Sequence, residues 1–104
     1  MGEILGEINK MTYMMIIKSV KDYDKWKSIF DEHENMRKSM GSRGASVLRN
    51  KNVPDQVVVI IEWEDMESAK KFIETEDLIL AMEKAGVIGL PAVYYLEEKD
   101  RTEH

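Results

Sequence analysis

The 104-residue chain contains no cysteine. That excludes a disulfide framework, thiolate metal sites and cysteine nucleophiles, and it fits a reducing compartment. Proline is scarce, with only Pro54 and Pro91, and so is histidine, with only His33 and His104. His104 stands at the very end and reads as solvated. No apolar run approaches the roughly 20 residues that span a bilayer. The chain does not open on a basic stretch followed by a long apolar one, so no secretory signal is expected. A soluble cytoplasmic protein is the default expectation. Positive charge is also short: 15 Lys and Arg against 20 Asp and Glu give a net charge of -5. Non-specific nucleic-acid binding needs a basic surface, so neither nucleic acid nor membrane is expected as a partner. The densest basic set, Lys18, Lys21, Lys25 and Lys27, is interrupted by Asp22 and Asp24 and reads as a solvated face.

What is present suits one packed core. Hydrophobic residues make up 43% of the chain, enough for a single domain of this length. Residues 1–11 read as an N-terminal arm, 12–97 as the domain, and 98–104 as a charged, disordered tail. A first strand is expected over Thr12 to Val20. Asp22 then caps a helix that carries helical spacing as far as Met40 and ends at Gly41. Gly44 to Asn50 reads as a second strand, Lys51 to Asp55 as a turn, and Val57 to Trp63 as the strongest strand. Asp65 caps the next helix, whose apolar stripe is Met66, Ala69, Phe72 and Ile73. A break over Glu74 to Asp77 precedes a short helix to Lys84, stopped by Gly86. Gly89 and Pro91 punctuate the lead-in to a last strand, Ala92 to Glu97.

The order is β-α-β-β-α-β. It predicts an α+β, ferredoxin-like fold with a four-stranded antiparallel sheet and helices on one face. The uncovered face would carry either Val58 and Ile60, or Val57, Val59, Ile61 and Trp63. Either set is too apolar to leave wet across a sheet, so a homodimer is expected.

The chemistry converges on the first helix. Trp26, Ile29, Phe30, Met36 and Met40 form one stripe, and His33 and Arg37 fall inside it. A titratable ring and a guanidinium on a core-facing stripe are costly unless paired. No Gly-x-Ser-x-Gly elbow accompanies His33, so a hydrolase triad is not expected. Asp31, Glu32 and Glu34 do not share its face, so no metal site is expected. Gly41-Ser42-Arg43-Gly44 follows a helix rather than opening one and is no phosphate loop. General acid–base work remains: His33 as base on a phenol, enol or activated carbon, and Arg37 holding the resulting anion. The bland alternatives are a satisfied core imidazole and an Arg37 that snorkels to water. Tyr94 and Tyr95 point to opposite faces, and one should line the helix side. Arg49 is a weaker candidate. Met14, Met15, Met36, Met40 and Met82 can form an adaptable apolar wall.

One stretch is more specific. Glu62-Trp63-Glu64-Asp65-Met66-Glu67-Ser68-Ala69, with Thr75-Glu76-Asp77-Leu78 beyond it, resembles the signature of antibiotic-biosynthesis-monooxygenase-like proteins of the dimeric α/β-barrel superfamily. The helix over Tyr23 to Gly41 and the Gly89-Leu90-Pro91 segment also resemble cyclase-like members. The resemblance covers residues 12 to 97. It implies a dimer whose two sheets form a barrel and a small-molecule cavity between sheet and helices. Such proteins include cofactor-free oxygenases of aromatic polyketides and quinols, haem-degrading oxygenases, isomerases and cyclases. Phe72 and Asp77 stand where many members carry histidine. The iron ligand of the haem-degrading members is therefore missing, and no cofactor is expected. Trp63 matches the family tryptophan, which shapes the substrate site in several members; core or interface packing is the alternative.

The expected function is a cofactor-independent monooxygenase or cyclase acting on a hydrophobic, aromatic compound. His33 and Arg37 would be catalytic, with Trp26, Phe30, Trp63, Tyr94 and Tyr95 binding substrate. The alternatives are a dimeric ligand-binding or stress-related module without catalysis, and a purely structural partner domain.

Overall fold

A computed structural model describes residues 11–104, apart from the side chains of Glu76 and Asp77. The expected N-terminal arm, save Met11, lies outside the described residues.

The first strand, β1 (Thr12–Val20), alternates strictly between buried and half-buried residues. The third, β3 (Gln56–Trp63), does the same. Period-two burial means one face of each strand is covered and the other is not. The register pairs Met14 with Ile61, Ile16 with Val59 and Lys18 with Val57. The second strand, β2 (Ser42–Arg49), runs beside β3, and the fourth, β4 (Val87–Leu96), runs beside β1. The resulting order is β2-β3-β1-β4, with every pairing antiparallel. This is the expected α+β, ferredoxin-like sheet.

The choice between the two residue sets of β3 is settled by these pairings. Val57, Val59, Ile61 and Trp63 face the core together with Met14, Ile16 and Val20. Val58 and Ile60 share the other face with Met15 and Ile17.

Four helices cover the core face: α1 (Tyr23–Glu32), α2 (Glu34–Ser39), α3 (Met66–Ile73) and α4 (Glu76–Lys84). Side chains cap three of them. Asp22 accepts from the Lys25 amide, Asp65 from the Ser68 amide and Thr75 from the Leu78 amide. Each cap satisfies a donor that the first helical turn leaves free. Gly41 follows α2 at φ +109°, a conformation that disfavours any residue with a Cβ. Among the described residues no helix is long and apolar enough to cross a membrane.

Two boundaries differ from the sequence reading. The long helix to Met40 is two helices, broken at His33. The last strand begins at Val87 rather than Ala92. Gly89, Leu90 and Pro91 lie within it, at an irregularity in the pairing with β1. A bulge on an edge strand tolerates a proline, because no ladder partner needs its missing N–H.

The register makes a direct prediction. Met14 is fully buried, so Met14→Ala should cost about 2–5 kcal/mol in urea unfolding. Lys38→Ala, on the exposed side of α2, should stay within about 0.5 kcal/mol.

Candidate functional site

The break at His33 builds the site. In a continuous helix the Ile29 carbonyl would accept from the His33 amide. Here the His33 N–H instead donates to the Phe30 carbonyl at 3.2 Å. The His33 ring takes the vacated place, with Nδ1 at 2.8 Å from the Ile29 carbonyl oxygen. A carbonyl oxygen only accepts, so Nδ1 carries the proton and Nε2 bears the lone pair of the neutral ring. Nε2 has no hydrogen-bond partner among the described residues. The Arg37 amide then donates to the His33 carbonyl at 3.0 Å, starting α2 on a new course.

Arg37 is buried, with 7% of its surface exposed. Its Nη1 donates to the Phe30 carbonyl at 2.6 Å, and its guanidinium carbon lies 3.7 Å from the centre of the Phe30 ring. The side chain therefore does not snorkel; its head is held against the protein. Burial lowers its proton affinity, while Glu34 and Asp31 act in the opposite sense.

Lys18 completes the arrangement, and it corrects the reading of a solvated basic face. It is only 8% exposed. Its Nζ lies 4.8 Å from the centre of the Trp26 ring. Trp26 in turn stacks on Phe30, with ring centroids 5.2 Å apart. Lys18, Trp26, Phe30 and Arg37 thus form one contact series with a cation at each end. Burial, and secondarily the charge of Arg37, push the Lys18 ammonium down from 10.5 to about 8. The signal was present in the chain: Lys18 shares the parity of Met14, Ile16 and Val20 along β1.

These groups line one cleft of about 40 Å³ between sheet and helices. Its other walls are apolar: Ile16, Val59 and Ile61 from the sheet, Ile29 and Met36 from α1 and α2, Phe72 from α3, and Leu78, Ala81 and Met82 from α4, with Ala85 beyond it. A cavity that holds benzene measures roughly 150 Å³, so the cleft as it stands is too small for a ring. Phe30 and Arg37 also line a wider open groove of about 480 Å³, bounded by α1, α2 and β2. They form the partition between the two spaces.

The cleft brings His33, Arg37, Trp26 and Phe30 together; the remaining candidates lie elsewhere. Trp63 is fully buried behind Phe72, with ring centroids 4.9 Å apart, and its Nε1 is unpartnered among the described residues. Tyr94 is half-exposed on the uncovered sheet face. Tyr95 faces the helix side, as one of the pair should, but borders a separate shallow groove with Thr12 and Met66. Arg49 fastens the β2–β3 turn through the Pro54 carbonyl at 2.7 Å. Of the methionines, Met36 and Met82 line the cleft, whereas Met14 packs in the core and Met15 lies on the opposite face. Among the described residues no three His, Cys, Asp or Glu side chains are gathered as metal ligands.

No family model and no curated protein sequence matches the chain. Solved structures do. SnoaB, a cofactor-independent oxygenase from Streptomyces nogalater, superposes with a TM-score of 0.72 at 11% identity, over 92% of this chain and 99% of that one. This chain shares the α+β, ferredoxin-like fold of that structure. Two proteins provisionally assigned as antibiotic biosynthesis monooxygenases show the same likeness. The one from Bordetella bronchiseptica gives a TM-score of 0.73 at 13% identity, over 86% of this chain and 97% of that one. The one from Caulobacter crescentus gives 0.71 at 15%, over 96% and 100%. Within this fold, Phe72 offers the cleft only carbon where the sequence resemblance marks a histidine position.

Lys18 yields a prediction in pH. Its proton affinity is lower folded than unfolded, so the unfolded chain binds more protons between pH 8 and 10.5. Below pH 8 the folded state carries the full cost of the buried ammonium, on the order of 3 kcal/mol. That cost is relieved as pH rises through the window. Lys18→Met should therefore stabilise the protein at pH 7, and its advantage over the wild type should shrink towards pH 10.5. Urea unfolding of both proteins across this range checks it.

Proposed function

We propose that this protein binds a hydrophobic, aromatic small molecule and oxygenates it without a cofactor, with His33 as the general base. The supporting observation is the state of the His33 ring. Its Nδ1 is committed to the Ile29 carbonyl, so its basic nitrogen is Nε2, and the ring lines a cleft that also carries Lys18 and Arg37. A base beside fixed positive charge favours proton removal, because the anion formed is stabilised where it appears.

The reaction in view converts an activated methylene or phenol, such as that of an anthrone or quinol. Nε2 takes the proton, and Arg37 faces the resulting enolate. The carbanion passes an electron to dioxygen, the radicals combine, and the peroxide collapses to a ketone with loss of water. For a methylene the balance is one dioxygen consumed for one carbonyl and one water formed. Trp26 and Phe30 supply the stacking surface. The cleft as it stands is too small for a ring, so a substrate must displace the Phe30 side chain and join cleft to groove. Met36 and Met82 have the torsional freedom to follow. Trp63 supports the wall through Phe72. A cyclase or isomerase would use the same base without dioxygen.

A second reading, a ligand-binding or stress-related module without catalysis, is favoured by the small volume of the cleft. Oxygen consumption with a dihydroxyanthrone separates the two. Oxygenation should appear in the wild type and fall roughly 100- to 10,000-fold in His33→Gln. No consumption above the spontaneous rate would sink the catalytic reading and leave the binding one.

We also propose that the protein is a cytoplasmic homodimer built on the uncovered sheet face. Met15, Ile17, Val58, Ile60, Leu48 and Tyr94 share that face, and Leu48 and Tyr94 are about half exposed at 51% and 49%. Native mass spectrometry should give twice the 12.1 kDa chain mass. Ile60→Glu should give a folded monomer. A wild-type monomer at micromolar concentration would end this proposal.

A further inference from the structure

We propose that Lys18 and Arg37 receive the acidic group of the ligand: the carboxylate of a compact organic acid whose apolar body lies against Trp26 and Phe30. This rests on the reading of the cleft as a ligand site and adds the ligand's charge to it.

The argument begins with what the two cations lack. Lys18 is 8% exposed and lines the cleft, yet no hydrogen bond or ion pair reaches its ammonium among the described residues. Arg37 is 7% exposed and commits one donor, to the Phe30 carbonyl. A guanidinium has five N–H donors. The Lys27–Asp31 and Arg43–Glu64 pairs show carboxylates engaged at the surface, but no Asp or Glu lines the cleft. Glu34 and Asp31 act on Arg37 from the groove side, but Lys18 feels only burial and the charge of Arg37, and the aromatic faces of Trp26 and Phe30 offset only part of the cost of burying both cations. One carboxylate offers lone pairs to both at once.

The walls decide the class of anion. Ile16, Val59 and Ile61 provide apolar surface and no cradle of backbone amides of the kind that holds phosphate. A carboxylate on an apolar body suits the lining and can bridge the two cations. Burial beside Arg37 also leaves Lys18 a weak holder of its proton, at about 8. An anion beside it reverses that direction, so ligand charge and lysine charge stabilise one another.

Benzoate and benzamide test this, because they share ring and size and differ in charge. Any opening of the cleft is common to both and cancels in the comparison. In calorimetric titrations at pH 7, benzoate should bind about 10-fold tighter than benzamide or better. Lys18→Met should bring the two within about 3-fold. Equal binding in the wild type, no benzoate binding up to about 10 mM, or an intact preference in Lys18→Met each overturns the proposal. A direct measurement covers a Lys18→Met protein that fails to fold: the Lys18 side-chain resonance of the wild type should titrate at higher pH with benzoate than without it, and an unmoved titration overturns the proposal. His33→Gln separates this from the catalytic reading. It should keep the benzoate preference while losing oxygen consumption. Loss of the preference with oxygenation intact ends this inference alone.

Discussion

Two cations packed on aromatic faces, in a cleft that no carboxylate lines, are the constraint on which the site depends. Taking each charge out of water costs several kcal/mol even after relaxation. A desolvated cation–π contact returns about 2 kcal/mol, so Trp26 and Phe30 do not balance Lys18 and Arg37. The deficit explains much of the surrounding geometry. Trp26 must lie on α1 opposite the C-terminal end of β1 to reach Lys18. Phe30 must sit one turn later to stack on Trp26 and meet Arg37. Well-packed apolar residues in the same places would make a more stable protein and a featureless cleft.

The broken helix meets the same constraint on the other side. A helix that ran straight through His33 would fill the Ile29 and Phe30 carbonyls with backbone amides and leave both side chains without those acceptors. The break releases one carbonyl for an imidazole and a share of the next for a guanidinium. Both carbonyls stay satisfied while the identity of the donors changes. The imidazole gains a defined tautomer from this exchange, and Arg37 gains a fixed position over Phe30.

The sheet was legible in the sequence wherever period-two alternation carried hydrophobic contrast. The bounds of β1 follow from Met14, Ile16 and Val20, and the helix caps follow from Asp22 and Asp65. In β3 both parities are apolar, so its faces were decided only by pairing with β1. Lys18 escaped because it was grouped with Lys21, Lys25 and Lys27 further along the chain, while its neighbours on the strand face are Ile16 and Val20. The break at His33 left no trace in the pattern, since Met36 and Met40 continue the same stripe on its far side. It depends on hydrogen bonds from two side chains, which spacing cannot encode. Gly89 and Pro91 looked like punctuation and proved to be a bulge, because an edge strand needs bonds on one side only. Of the candidate residues, those on one helical stripe were brought together, whereas Trp63, Tyr94 and Tyr95 depend on strand register and fell elsewhere.

The bulge in β4 has a consequence for how copies of this chain can meet. An edge strand with an unbroken row of amides invites another strand to add to the sheet, and through it filaments and aggregates. Around Gly89, at φ +69°, and Pro91, with no amide hydrogen, that row is interrupted. Leu90 stands almost wholly in solvent at the same point, 99% exposed. Sheet growth past this edge is blocked along the first half of β4, so strand-by-strand polymerisation finds no template there. Association through the broad face of the sheet, which closes on itself after two copies, is left unopposed.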